Sequence, residues 1–254
     1  MQLTLALASL VLIVAPTSNQ DSSNSTPAWW ESFPEASADL TLGVGEDGSH
    51  LSMMALVNEY AELTGQHLVI STETRQMLEA SRTGIQTQVV VPKPHVQAFF
   101  ETLLVENQFV LHLLREASPR MLAIESLKTQ QRNTVRRGAR FVPREQLEVM
   151  RGHPAMLVTT TLALPYTDVR QLSNSMRTMV TDANTQQMLP AGKSNSMFIT
   201  GFGPHTADLA VMLERVDARS KVRWEQDEAR RMLEQAQQAE QAEENAAADE
   251  STSE

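Results

Sequence analysis

The stretch "LPAGKSNSMFITGFGPH", Leu189–His205, decides how the second half of this chain folds. It contains Gly192-Lys193-Ser194, the end of the motif with which nucleotide-binding loops hold phosphates. Such a loop needs a glycine five residues before Gly192. It also needs a helix directly after the Lys-Ser, so that the helix N-terminus faces the phosphates. Gln187 occupies the first place, and the following "NSMFIT" has the composition of a strand. Both requirements fail, and the tripeptide reads instead as a hairpin turn. Gly192 and Asn195 tolerate the left-handed backbone that such turns demand, and Ser196 leads into the apolar strand Met197–Ile199.

Outward from this hairpin, "MLVTTTLALPY" alternates and is β-branched, as a strand requires. Thr167 or Asp168 can cap the helix that follows, with Val169, Leu172, Met176, Met179 and Val180 on its buried face. "NTQQMLP" makes the strand before the turn, and Pro204 opens a last helix with Leu209, Met212, Leu213 and Val216 inward. The order over residues 156–219 is strand, helix, strand, strand, helix.

Residues 39–127 form a separate small unit by the same reasoning. Met53, Leu56, Val57, Tyr60 and Leu63 recur at helical spacing, and Gly65 stops that helix. "HLVIS" and "IQTQVVV" read as strands, with "TETRQMLEAS" a short helix between them. Pro92 and Pro94 open a helix striped by Val96, Phe99, Phe100, Leu103 and Leu104. "FVLHLL" and "RMLAIES" then make a hairpin. The fold class expected is α/β (α+β): two small mixed-sheet domains, the second βαββα and KH-like in its order.

Residues 128–155 carry most of a run with seven basic and two acidic residues, "KTQQRNTVRRGARFVPREQLEVMRGHPAM". A patch for an acidic partner is one reading; a solvated linker with one short helix is the other, and is preferred. The N-terminus, residues 1–18, has an apolar run from Leu3 to Ala15, too short to span a bilayer and suited to a signal peptide. No Lys or Arg precedes it and Pro16 follows it, so a buried strand or helix is the alternative. Residues 19–38 read as a disordered spacer, broken by Trp29, Trp30 and Phe33, which dock on the folded body or on a partner.

The net charge of −10 is uneven: Glu225–Glu254 holds ten acidic and two basic residues, which leaves about −2 for the rest. The acidic tail, residues 220–254, is rich in Ala, Glu and Gln and lacks a sustained apolar seam. A helix fraying into disorder is expected there rather than a coiled coil. An acidic tail repels nucleic acid and anionic membrane. Apolar residues are 41% of the chain but aromatics only 5%, so Leu, Val, Ile and the 13 Met must fill the core. The absence of cysteine excludes disulfides, thiolate metal sites and a Cys nucleophile.

Two motifs carry a family resemblance. "LALPYTDVRQLSNSMRTMV" and "KSNSMFITGFGPHTADLAVMLERVD" resemble the ring-building domain repeated in bacterial secretins, the outer-membrane pores of type II and type III secretion and of type IV pili. Leu164, Tyr166, Asp168, Val169, Leu172, Val180, Ser194, Asn195, Ser196, Ile199, Thr200, Leu209 and Asp217 fall in register with it. "VNEYAELTGQHLVIS" and "VVVPKPHVQAFFETLLVENQFVL" are similar to the short domain that precedes such repeats in secretins and in TonB-dependent receptors. The resemblance implies an STN-like domain over 39–127 and a NolW-like domain over 156–219, without the pore domain.

It further implies an exported, periplasmic or envelope-associated module that binds protein, as an accessory or split component of a type II or pilus-like secretion apparatus. Its partners would be secretin pore subunits or other copies of itself, with no cofactor, no nucleic acid and no direct membrane span. Candidate contacts are Asn195, Ser196, Phe198 and Thr200 on the strand, Asp168 and Arg170 on the helix, and Arg136, Arg137 and Arg140 in the linker. For all three groups ordinary core and surface is the alternative.

Other classes find little support in the residues. The six histidines are scattered, with no pair at metal-ligand spacing, and His112 reads as a packed or edge residue of a strand. There is no Gly-x-Ser-x-Gly elbow and no paired-carboxylate motif, so no catalytic residue is expected. A KH domain clamps RNA with a Gly-x-x-Gly loop between helices. Here Gly201-Phe202-Gly203 lies between strand and helix and has no basic neighbours. A general periplasmic adaptor unrelated to secretion is the main alternative function.

Overall fold

The structure, a computed structural model, describes residues 28–30, 33–43, 51–128, 135–177, 182, 184–192 and 194–252, with backbone alone over 241–252. The expected signal peptide, Lys193 and the helix positions Met179 and Val180 lie outside the described residues. The chain divides at Phe33. In the N-terminal unit Trp29 and Trp30 meet edge to face with centroids 5.1 Å apart.

In the remaining unit, from Pro34 on, two small sheet-and-helix assemblies follow one another in a mixed α/β architecture. The first contains β1 (Leu40–Leu42), α1 (Met53–Thr64), β2 (His67–Ile70), α2 (Thr72–Ala80), β3 (Val89–Val91), α3 (Val96–Glu106), β4 (Phe109–Arg115) and β5 (Met121–Ser126). Its helices start where the sequence offers a cap. Ser52 accepts from the Ala55 N–H and Ser71 from the Thr74 N–H, and Gly65 at φ +65° ends α1. β1 pairs with β3 antiparallel; β5 lies between β2, parallel to it, and β4, antiparallel. Tyr60 of α1 and Phe100 of α3 are fully buried and stack face to face, centroids 3.9 Å apart.

The second assembly has a four-stranded sheet in the order β6-β7-β9-β8. Its strands are β6 (Arg140–Phe141), β7 (Leu157–Ala163), β8 (Gln187–Pro190) and β9 (Ser196–Phe202). α4 (Val169–Met176) crosses from β7 to β8, and α5 (Gly203–Thr252) follows β9. The turn from β8 to β9 is the hairpin expected at Gly192: the Ala191 N–H donates to the Ser196 carbonyl at 2.7 Å, with Gly192 at φ +58° and Asn195 at φ +44°. Strand alternation sorts the faces. Val158, Thr160, Leu162, Met197 and Ile199 are buried on the face where Leu209, Ala210 and Leu213 of α5 lie, whereas Phe198 points outward.

Three expectations change. Residues 135–155 are not a solvated linker: Val135, Val142, Leu147, Met150 and Ala155 are buried, β6 pairs with β7, and the 3-10 helix Arg144–Gly152 packs on α5. Interspersed cations hid these apolar residues, and Arg140, Arg144 and Arg151 find partners within the chain. The Arg144 guanidinium forks the Glu214 carboxylate at 2.5 and 2.6 Å, and Arg151 meets Asp208 at 2.7 Å. Second, the end of the spacer is held: Ala36 is buried and the Ser37 N–H donates to the Leu63 carbonyl at 2.8 Å. Third, the tail expected as a helix fraying into disorder continues the last helix without a break to Thr252, since neither Gly nor Pro interrupts the sequence after Pro204.

Candidate functional site

The two assemblies meet along one edge of β4. The Leu111 N–H donates to the Ala155 carbonyl at 2.9 Å, and Leu111 bridges Met156 in the parallel sense. Two residues on, the Arg140 guanidinium donates to the Leu113 carbonyl at 2.9 Å. An otherwise open strand edge is thereby covered by the chain itself.

A buried polar chain reinforces this junction. Glu101 of α3 is fully buried. One carboxylate oxygen accepts from the Gln97 amide at 2.6 Å and lies 3.0 Å from His153 Nδ1; the other accepts from the Ala155 N–H at 3.0 Å. The Tyr60 hydroxyl donates to Gln97 Oε1. Burial, and then the neighbouring Glu101 carboxylate, raise the Tyr60 hydroxyl above the ordinary tyrosine range. His112 lies at the same junction with Gly138 against its ring. Burial lowers the imidazole from its usual value, opposed by the Glu125 carboxylate 3.6 Å away and by the Gly138 backbone.

The outer face of the second sheet is the principal exposed surface formed by the expected contact residues. Phe198 is 42% exposed and pairs across the strands with Leu189, 48% exposed. Thr200 lies one alternation further along, its hydroxyl 2.8 Å from that of Thr159, and Thr159 pairs in turn with the exposed Phe141 of β6. A strip of apolar and threonine side chains across all four strands results.

Asp168, Arg170 and Asn195 come together elsewhere, in an open groove of about 510 Å³ that Tyr166 and Trp224 also line. Tyr166 and Trp224 sit 5.8 Å apart, with the Lys221 ammonium 5.6 Å from the Tyr166 ring centre. Asp168 is the N-cap of α4, accepting from the Arg170 and Gln171 N–H groups, and Asn195 shapes the hairpin. The Ser196 hydroxyl donates to the Ser194 carbonyl.

The three linker arginines separate. Arg136 borders a depression shared with Ser173, Arg177 and Leu189, Arg137 is exposed on a 3-10 turn, and Arg140 is committed to β4. Sequence reasoning missed Leu189 and Phe141 as surface and Glu101 and His153 as a junction. Glu101 directly follows Phe100 in an amphipathic helix, a position that reads as solvent-facing, and two of its partners, His153 and Ala155, lie more than fifty residues away. The register of "QMLP" against "MFIT" was the one signal that could have found Leu189. Among the described residues no group of three His, Asp or Glu could hold a metal ion, and no helix is long and apolar enough to cross a membrane.

No protein-family model matches the sequence, and no curated protein matches it. Among solved structures, a chain of the Klebsiella pneumoniae type II secretion system outer membrane complex, with PulD, PulS and the PulC HR domain, aligns at 15% identity and a TM-score of 0.48. The alignment covers 66% of this chain and 26% of that one, so this chain spans about a quarter of it. A chain of the enterotoxigenic Escherichia coli GspC-GspD complex from the type II secretion system aligns at 12% identity and a TM-score of 0.26, over 71% and 99% of the two chains. The N-terminal domain of the secretin XcpQ from Pseudomonas aeruginosa aligns at 12% identity and a TM-score of 0.23, over 71% and 64%. The likeness is distant throughout.

Proposed function

We propose that this chain is a non-catalytic, envelope-located contact module of a type II or pilus-like secretion apparatus, with an STN-like unit followed by a NolW-like unit that is KH-like in element order. Its partners are secretin pore subunits or further copies of the same chain. The observation that carries this reading is the outer sheet face: Phe198, Leu189 and Phe141 stay exposed on a sheet whose other face is packed. Exposed apolar groups ringed by polar ones suit a protein contact, and their fixed register favours one geometry of approach. The Ser194-Asn195-Ser196 hairpin, which resembles the secretin motif, sets that register.

The cross-edge bonds at Leu111 and Arg140 and the buried Glu101 support a stiff connection between the halves, so that a contact at one is transmitted to the other. The test is size-exclusion chromatography with light scattering on the full chain, alone and mixed with secretin pore subunits from the same cell. Co-elution or a ring-sized oligomer, abolished by Phe198→Glu, is the expected result. A chain that ignores every secretin subunit and every other copy would overturn the assignment.

A further inference from the structure

β8 is an open edge of the four-stranded sheet: among the described residues its strand partner is β9 alone. The hairpin fixes which of its backbone groups face outward. The Ala191 N–H donates to the Ser196 carbonyl, so these two form a hydrogen-bonded pair. In an antiparallel ladder such pairs recur at every second residue, which turns the backbone of Leu189 and Gln187 toward β9. The backbone of Pro190 and Met188 therefore faces the free edge. β7 gives an independent check. The Leu164 N–H donates to the Asn195 carbonyl, which commits Met197, Ile199 and Gly201 to β7 and leaves their neighbours for β8. Pro190 has no N–H, as suits an unpaired edge. Met188 keeps an N–H and a carbonyl with no backbone partner among the described residues.

That edge runs along a depression of about 380 Å³, bordered by four successive residues, 186–189. Their side chains alternate between the two faces of the sheet, so a cavity that touches all four follows the strand edge. A guanidinium reaches it from each face. Arg177 directly follows α4, which packs on β8 from the inner side, since Leu189 on the outer side is exposed. Arg136 directly follows Val135, which packs on the outer-face pair Leu157 and Phe202.

These two cations meet no acid. Neither makes an ion pair among the described residues. Residues 127–144 hold six cations and no acid, residues 169–181 two cations and no acid, and residues 183–207 no acid. Asp182, between the last two segments, accepts from the Asn184 N–H and the Thr185 hydroxyl.

We propose that the β8 edge takes an extended acidic segment of a partner protein as an added strand. The main chain of that segment pairs at Met188. Two carboxylates at adjacent positions, which a strand directs to opposite faces, meet Arg136 and Arg177. Main-chain pairing selects a peptide over other polyanions, and the guanidiniums select acidic side chains and set the register. The same edge of a second copy is a poor occupant, because pairing β8 with β8 brings the arginines of both copies together. The added strand is short: Pro190 offers only an acceptor, and the Gln186 N–H is already given to the Asp182 carbonyl. The site shares Leu189 with the outer strip but does not rest on the contact proposed there.

The test uses the full chain and a fluorescent peptide, Thr-Val-Glu-Asp-Val-Thr, followed by anisotropy. This peptide should bind, and Thr-Val-Lys-Lys-Val-Thr should not. Arg136→Glu and Arg177→Glu should each weaken binding about fivefold, with urea midpoints near the natural value. N-methylation of alternate peptide residues should abolish binding in one phase and spare it in the other, because only every second N–H of an added strand faces β8. Added salt should weaken binding, since Arg177 is exposed. Phe198→Ser should leave peptide binding within about twofold, so failure of the sheet-face contact is read apart from failure of this site. No binding of the acidic peptide, the same effect from both methylation phases, indifference to both arginine reversals, or a thymidine oligonucleotide of equal charge competing as well as the peptide would each overturn the proposal.

Discussion

Gly203 shows how a single position can be decided by sterics. A Cβ there would sit 2.2 Å from the Met150 carbonyl oxygen and 2.9 Å from that of His153, both backbone atoms. Nothing at that point is free to give way, so Gly203→Ala should cost about 2–4 kcal/mol by urea denaturation, as overpacking against main chain does. His112 has a consequence for pH. Its burial lowers the folded-state pKa, so the unfolded chain binds the proton more readily. Stability contributed by neutral His112 is therefore full above about pH 6.5 and declines as pH falls below that, down to the lowered folded value. Urea midpoints measured from pH 8 to pH 5 should fall more steeply for the natural chain than for His112→Gln. Equal slopes would show that the imidazole is not held neutral.

At the level of elements, the β7–α4 connection and the Glu101 junction do different work. Asp217 of α5 accepts from the Tyr166 N–H at 3.0 Å and from the Thr167 hydroxyl at 2.8 Å, which ties the loop before α4 to the last helix. Asp217→Ala should cost about 1.5–3 kcal/mol, the usual size for hydrogen bonds to a charged group, and should shift the thermal midpoint without splitting the transition. Glu101→Ala should act otherwise. It removes the acceptor of the Ala155 N–H and the neighbour of His153 inside the boundary between the assemblies. A loss of about 2–4 kcal/mol is expected, with earlier proteolysis between residues 128 and 155 than in the natural chain. A single unshifted transition with unchanged cleavage would show that the junction does not depend on this carboxylate.

For the molecule as a whole, the covered edge and the exposed strip differ in what they leave open. β4 is closed by Ala155 and Arg140, while the outer face of the second sheet is open at Phe141, Phe198 and Leu189. Phe198→Glu should leave the urea midpoint within about 0.5 kcal/mol of the natural value, since the side chain is already half in water, and should still abolish the contact proposed for that sheet face. If association survived with stability unchanged, the contact surface would lie elsewhere, the Tyr166–Trp224 groove being next in line.

Local chemistry alone determined much of this chain. Ser52, Ser71 and Asp168 announce helix starts because their side chains accept backbone N–H groups, and Gly65 and the Gly192–Asn195 turn mark where the backbone must turn left-handed. The failed phosphate loop was legible for the same reason, as was the contrast between buried Met197 and Ile199 and exposed Phe198. Tertiary structure decided what lies between. Val142, Leu147 and Met150 are spaced too irregularly among cations to signal burial, and they became core only once β7 and α5 offered a surface. Glu101 is buried because His153 and the Ala155 N–H, far away in the chain, satisfy it. A hydrogen bond across that separation leaves no periodicity behind, whereas caps, turns and strand alternation are written within a few residues of where they act.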